Sequence, residues 1–442
     1  MTPVETQKKP EISAPNLALS VHPWRSALYE ELHSRPSPVI NGPCLVTHFT
    51  VQFKNGEKDY DYVADLCRRF SVPIPAAESS CLYQDFGGFE LRWERHLEFS
   101  NYTFIFSCDN PFVADSLSCV PKDWLAAMPG QLVVALNIVF LEENFEGKDL
   151  KNWFEGQRAT GSIISEDKAQ VWTTFKLHSD GFGRMIVRNN SLNPYQNGRL
   201  VQRLCEIETY RLMSLLALPL AREISSKIKK IEERFIRLNF EIADINQGQD
   251  ERALLQELSQ IAAEVEHHRS ESNYRFSATT AYYDIVSDRL KQLKERPLEG
   301  MQGLHEFLER RLTPSVKTCH STRDRLKDLS IRINRTTSLL RTRVDLSIQE
   351  QNQNLLASMN RRSQMQLRLQ QTVEGLSVVA ISYYLVSLLG FVYLGLNEYG
   401  VIFNAEIAKG ISAPLVVVLV YFGVRRVKAK IKHQSHKLAS KK

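Results

Sequence analysis

The sequence predicts an α+β or α/β cytoplasmic domain, then long helices, then two C-terminal transmembrane helices. Three observations carry this. Up to about residue 195 short segments of strand and helix character alternate; beyond Asn193-Pro194 apolar residues recur at helical spacing almost without a break; and two uncharged apolar runs, Leu376–Leu396 and Ile411–Val424, stand near the C-terminus.

Residues 1–20 are polar and contain proline but no apolar signal core, so they predict a disordered N-terminus and no export of the N-terminal body. Residues 21–195 form the predicted α/β domain. It opens with a helix over Pro23–Ser34, entered through proline in the first turn and carrying Trp24, Leu28 and Leu32 on one face. Leu45–Phe53 alternates apolar and polar residues, as a half-buried strand does. Glu57–Phe70 is helical by the spacing of Tyr60, Val63, Cys67 and Phe70. Strands are predicted over Phe89–Glu98, Tyr102–Ser107, Leu132–Leu141, Thr160–Ser165, Val171–His178 and Arg184–Arg188, with Ser179-Asp180-Gly181 and Gly183 turning the chain between the last two. That is about seven strands.

Residues 196–312 predict a helical hairpin. Its arms are Arg199 to about Leu238, kinked at Pro219, and Glu251–Lys294, joined by the polar stretch Asn246–Asp250. Pro297 and Gly300 mark the next break, and Pro314 opens a stalk over residues 313–375. There Leu326, Leu329, Ile333, Leu340, Val344, Ile348, Leu355 and Met359 recur at spacings of three, four and seven. A single helix of about 80 residues, near 120 Å, would run from the stalk into the first span. Such a stripe needs a partner, either the upstream hairpin or further copies of the chain in a coiled coil, so a homo-oligomer is expected.

The first span, residues 376–397, is long enough for a bilayer at roughly 31 Å. An outer loop over 398–404 leads to a second span over 405–427 and a basic tail over 428–442. Of the 56 Lys and Arg, eight lie after residue 424, which leaves 48 against 50 Asp and Glu. The excess positive charge is therefore a feature of the membrane surface, suited to anionic lipid headgroups, and does not imply nucleic acid. The seven cysteines are scattered without metal-finger spacing and read as reduced thiols.

Candidate site residues fall in two places. On a strand through Arg92, Glu94, His96 and Glu98 all four side chains would share one face, a row able to hold a divalent metal or to serve as an ion-pair ladder. In the first span Tyr383, Gly390 and Asn397 lie seven apart with Ser387 on the adjacent row, a stripe suited to close helix packing or to a narrow pore. No Walker sequence, nucleophile elbow or zinc-protease motif occurs, so no enzyme, catalytic residue or bound cofactor is expected.

The layout resembles the CorA-type divalent-cation transporters, which also place Gly-x-Asn at the outer end of a long helix, followed by a short acidic loop. Gly395 and Asn397 occupy those positions here, with Leu396 between them. The resemblance implies a homopentamer, a transported or regulatory divalent cation, Asn397 at the pore mouth, and Glu398 and Glu406 concentrating cations. The acidic loop lacks the Met-Pro-Glu-Leu run common in that family. A closer resemblance rests on His22–Pro36 (HPWRSALYEELHSRP), Leu91–Phe99 (LRWERHLEF) and Gly198–Glu223 (GRLVQRLCEIETYRLMSLLALPLARE). On these the chain is identified as a member of a bacterial family of uncharacterised membrane-anchored proteins, a domain of unknown function, which implies the inner membrane. The functional expectation is a CorA-like channel or transporter, against a membrane-tethered binding or scaffold protein.

The cations fix an expected topology. Arg361, Arg362 and Arg368 precede the first span and the basic tail comes after the second, whereas the loop between offers only Lys409 against Glu398 and Glu406. Single cysteines placed at residues 398–406 should react with an impermeant reagent from outside intact cells. Cysteines at either terminus should react only after lysis.

Overall fold

The computed structural model describes residues 22–25, 28–29, 36–53, 57–77, 79–145, 147–244, 251–398 and 404–439, without the side chains of 57–58, 397–398, 405 and 428–439. The chain divides into two compact units, one ending at Thr337 and one beginning at Ser338.

A nine-stranded mixed sheet organises the first unit. Its strands are β1 (Cys44–Gln52), β2 (Cys81–Asp85), β3 (Glu90–Arg95), β4 (Phe99–Ser107), β5 (Gln131–Leu141), β6 (Thr160–Ile164), β7 (Ala169–Thr173), β8 (Gly183–Asn189) and β9 (Arg296–Pro297), in the order β2-β3-β4-β1-β5-β8-β7-β6-β9. All neighbours run antiparallel except β5 and β8, which are parallel and joined by a crossover through β6 and β7. The class is therefore α+β.

Period-two alternation sorts the side chains into two layers. One face carries Phe49, Val51, Leu91, Trp93 and Phe104 and is covered by α1 (Glu57–Arg69) and α2 (Lys122–Ala126). On the β5-β8-β7 half the same face presents Val139, Ile186 and Trp172 to Phe154, beside α3 (Gly147–Trp153). The opposite face is covered by α4 (Pro194–Leu215), α6 (Glu251–Leu293) and the start of α7 (Leu304–Glu398), whose Leu204, Leu290 and Leu308 meet Leu136, Ile138 and Val187. Between α4 and α6 lies α5 (Ala217–Ala243), which packs along α6 through a buried stripe of Ile224, Ile228, Ile231, Phe235 and Leu238. Arg234 reaches Glu264 on α6 at 3.0 Å, and Arg325 on α7 reaches Glu232 at 2.7 Å.

Several expected boundaries move, each for a local reason. β3 stops at Arg95 because His96 N–H bonds Phe99 O at 2.8 Å and closes a turn. β7 stops at Thr173, where Phe175 takes a positive φ of 52° and its N–H turns back to Thr173 Oγ1. Helix α4 breaks from α5 at Leu216, three residues before Pro219, whose ring excludes the carbonyl of residue 215. The stalk helix starts at Leu304 and runs through Pro314, because its first N–H groups find remote acceptors: Leu304 N–H bonds Ser162 Oγ at 3.0 Å and His305 N–H bonds Glu295 Oε1 at 2.7 Å. Two strands, β2 and the two-residue β9, join the expected seven. The expected helix over Pro23–Ser34, the tract Met1–Ser20 and the hairpin turn at Asn246–Asp250 lie wholly or mostly outside the described residues.

The second unit holds the rest of α7 and α8 (Ala405–Ala439). Both helices include stretches long and apolar enough to cross a membrane. Their large side chains face outward: Leu376, Val379, Phe391, Ile411 and Leu419 are each roughly two-thirds exposed or more, as lipid-facing residues are. The two helices touch where Gly390 meets the stem of Lys409, the gap being so narrow that an added Cβ would lie 3.0 Å from Lys409 Cε.

One close approach in the first unit is testable. A Cβ at Gly198 on α4 would fall 1.6 Å from the carbonyl oxygen of Pro38, so only glycine lets the 36–40 segment cross that helix. Gly198→Ala should lower the unfolding free energy of the sheet unit by at least about 3 kcal/mol in denaturant titrations followed by tryptophan fluorescence. Gly147→Ala, with open space at its Cβ, should stay within about 0.5 kcal/mol.

Candidate functional site

The end of the first sequence motif, with the segment just after it, meets the other two motifs in space. Pro36, ending the first, offers its carbonyl to Arg92 Nε of the second at 3.2 Å, and Gly198 of the third lies under Pro38. Ile40 N–H bonds Pro194 O, and Asn197 Nδ2 bonds Ile40 O, each at 3.2 Å. The meeting place is the part of the sheet face, on β3, β4 and β1, that lies under α4.

That half-face is polar although it is buried. Register pairs Arg92 with Thr103 and Glu94 with Asn101, next to His48 and Thr50 on β1. Arg92 clasps Glu94 with two parallel bonds, 2.5 Å to Oε2 and 2.7 Å to Oε1, and both side chains are more than nine-tenths buried. His48 lies between two threonines, Nδ1 to Thr103 Oγ1 at 2.8 Å and Nε2 to Thr209 Oγ1 of α4 at 2.9 Å. Thr50 donates to Asn101 Oδ1 at 2.8 Å and shares a bond of the same length with Thr209. Burial, reinforced by the Arg92 charge, pushes the His48 pKa down to about 3, so the ring is neutral. Burial likewise pushes the Cys205 thiol up, which leaves it protonated and unreactive. The space left between Pro38, His48, Arg92, Glu94, Cys205 and Glu206 is a cavity of about 10 Å³, at the lower limit of room for one water and too small for a substrate.

The expected row of four is therefore not one strand face. Arg92 and Glu94 belong to β3, whereas His96 and Glu98 sit in the turn beyond it. His96 stacks on Phe99 with ring centroids 4.4 Å apart. Glu98 faces α6 instead, accepting from Arg275 Nη1 at 3.2 Å, Arg275 Nη2 at 2.8 Å and Tyr282 Oη at 2.6 Å. Arg92 ties β3 to the 36–40 segment and pairs with Glu94, Glu98 ties the turn to α6, and His96 packs on Phe99. Neither His48 nor its threonines stood out in sequence, because alternation alone assigns the polar side of β1 to solvent. The available signal was that the alternate positions His48 and Thr50 on β1 and Asn101 and Thr103 on β4 are polar without a Lys or Glu among them.

Across the sheet Asp59 accepts from Trp93 Nε1 at 2.9 Å, Ser100 Oγ at 2.6 Å and the Tyr102 hydroxyl. Burial raises its pKa despite those donors.

The membrane-end candidates are more scattered. Gly390 is buried against Lys409 of the same chain, Tyr383 is largely exposed and Ser387 is half-buried. Gly395 lies in the last turns of α7, exposed, and Glu406 in the first turn of α8, exposed. The side chains of Asn397 and Glu398, like residues 399–403 of the outer loop, lie outside the described part of the structure.

The buried imidazole gives a signed pH dependence. Between about 3 and its unfolded value near 6.5, His48 binds more protons unfolded than folded, so its stability contribution is fully present above about 6.5 and is lost as pH falls. Unfolding free energy should decline with acidification below that point, and His48→Gln should flatten the slope by up to about 1.4 kcal/mol per pH unit between 6 and 4. The raised carboxyl of Asp59 is common to both proteins and cancels in the comparison. Equal slopes would remove His48 from the titrating set.

No curated protein and no solved structure matches the chain. Residues 20–431 match the family described as protein of unknown function, DUF3422, and since that span takes in all three converging motifs and both membrane-length helices, the chain belongs to that family.

Proposed function

We propose that this protein is a cation channel or transporter of CorA-like organisation, a homo-oligomer of the inner membrane with both termini in the cytoplasm. One observation carries the reading. A single helix, Leu304–Glu398, begins capped by side chains of the sheet unit and ends in a membrane-length segment closing on Gly395-Leu396-Asn397. A continuous helix of that kind would let a soluble domain act on a pore at a distance.

Two further features support it. Along residues 338–373 the helix leaves Leu346, Leu355, Leu356, Met359, Met365 and Leu369 mostly exposed, a surface that copies of the chain would cover around an axis. At the outer end Asn397 supplies a neutral amide, and a ring of such oxygens holds a hydrated cation without the deep well a carboxylate ring creates, while Glu398 and Glu406 raise the local cation concentration. Gly390 and Tyr383 divide these roles, the first serving the hairpin of α7 and α8 and the second facing outward toward lipid or a neighbouring copy.

Purified protein in liposomes should pass magnesium, zinc, cobalt or nickel down a gradient. Asn397→Ala should cut that flux by about tenfold or more, an effect of roughly 1.4 kcal/mol on the ion's passage, while Ser191→Ala in the sheet unit should leave it unchanged. If no ion passes, or if Asn397→Ala matches the parent protein, the spans serve as an anchor and the protein is a membrane-tethered scaffold.

A further inference from the structure

We propose that His267, His268 and Glu271 on α6 form a binding site for a borderline transition-metal ion of the zinc, cobalt or nickel class. The spacing suffices to bring the three together: residues four apart and three apart on a helix share a face, so Glu271 lies one turn beyond both imidazoles. One donor atom from each falls within 4.8 Å of the others.

His268 is the anchor of the set. The buried stripe of α6 runs Leu258, Ile261, Val265, His268, Ser272, Phe276, so an imidazole occupies a seam position where an aliphatic side chain would pack without polar atoms. The residue is only 7 % exposed and its Nδ1 has no hydrogen-bond partner. A buried acceptor or donor left unmade is costly, and native structures rarely keep one without a use. The nearest carboxylate oxygen, Glu271 Oε2, stands 3.7 Å away, too far for a hydrogen bond. That separation does suit two atoms held by one ion at about 2.0–2.2 Å each. His267 is exposed, with its ring centroid 5.5 Å from that of His268, and closes the set from the solvent side.

The donor chemistry selects the ion. Two imidazoles and one carboxylate match zinc, cobalt and nickel, whereas magnesium and calcium demand an all-oxygen shell. Three protein ligands leave a coordination position for water. From α5, Glu223 and Lys227 face this stretch; they pair with each other at 2.7 Å, and His268 helps to hold the Glu223 carboxyl below its ordinary range after the larger effect of Lys227. The same Lys227 is held above its ordinary range by Glu223 first and by Glu271 and Glu264 further off, so a site cation shares this acidic surround with one fixed ammonium.

The site is independent of ion transport, and its test reads equilibrium binding. Full-length, tag-free protein in detergent, stripped with chelator, would be titrated with zinc by calorimetry and with cobalt by visible absorption. One ion per chain is expected, unaffected by millimolar magnesium. His267→Ala and Glu271→Gln, both at exposed positions and so harmless to packing, should each weaken binding at least tenfold. His268→Gln, checked for folding by circular dichroism, should do the same, and His305→Ala should change nothing. Zinc binding absent from the parent protein, or undiminished in His267→Ala and Glu271→Gln, would leave His268 as an ordinary ion-pair partner of Glu271. A thiolate-to-cobalt charge-transfer band would assign the ion to a cysteine and equally defeat the proposal.

Discussion

Polar groups taken out of water must find partners, and in the sheet unit that constraint settles where the helices lie. A face bearing Arg92, Glu94, His48, Thr50, Asn101 and Thr103 sits beneath α4, and the chain satisfies it by lending Thr209 from the helix and the Pro36 carbonyl from the preceding segment. Breaking a buried ion pair by removing one partner costs about 3–5 kcal/mol, far more than a surface pair is worth. Apolar packing alone would let a helix slide along a sheet. A histidine held from both sides by threonines of two different elements admits one register.

The same logic governs the stalk helix. Its first turn is capped by Ser162 on β6 and Glu295 beside β9, so the start of the helix is tied to the far edge of the sheet. Leu304, Leu308, Leu312 and Val316 then join the core under β5 and β8. Glu98, gripping Arg275 and Tyr282, fixes α6 at the opposite side of the sheet. Both helices are thus fixed to the sheet unit by side-chain hydrogen bonds, one of them the charge-assisted pair of Glu98 and Arg275.

Much of this was legible in sequence. The long helices were, because 3.6-residue periodicity over Glu251–Leu293 and beyond Ser315 leaves no competing structure, and so were seven of the strands, whose β-branched and aromatic residues alternate. What escaped has a common cause in remote partners. Strand β9 is two residues long and exists only through pairing with Ser162 and Ile163; the start of α7 is capped from elsewhere, so Pro314 looked like the helix opening; and β3 read as running on to Glu98 because the residues of a tight turn here are not glycine or proline. At the site, the motif spelling out Arg92 to Glu98 read as one strand face, and the structure divides it between β3 and the turn beyond. The partners of Glu98 lie on α6, more than a hundred residues away, and that of Arg92 in the 36–40 segment.

Among the described residues the sheet unit's core clusters end at Val316 and the unit itself at Thr337, and the first membrane-length apolar run begins only at Leu376. At ribosomal speeds of about 5–20 residues per second, that interval lasts roughly 2–8 s, long against the collapse and strand pairing of a domain this size. The order of synthesis therefore separates two solvents in time: the sheet with its buried charges settles in water, and only afterwards does the growing chain present a segment that the bilayer can accept.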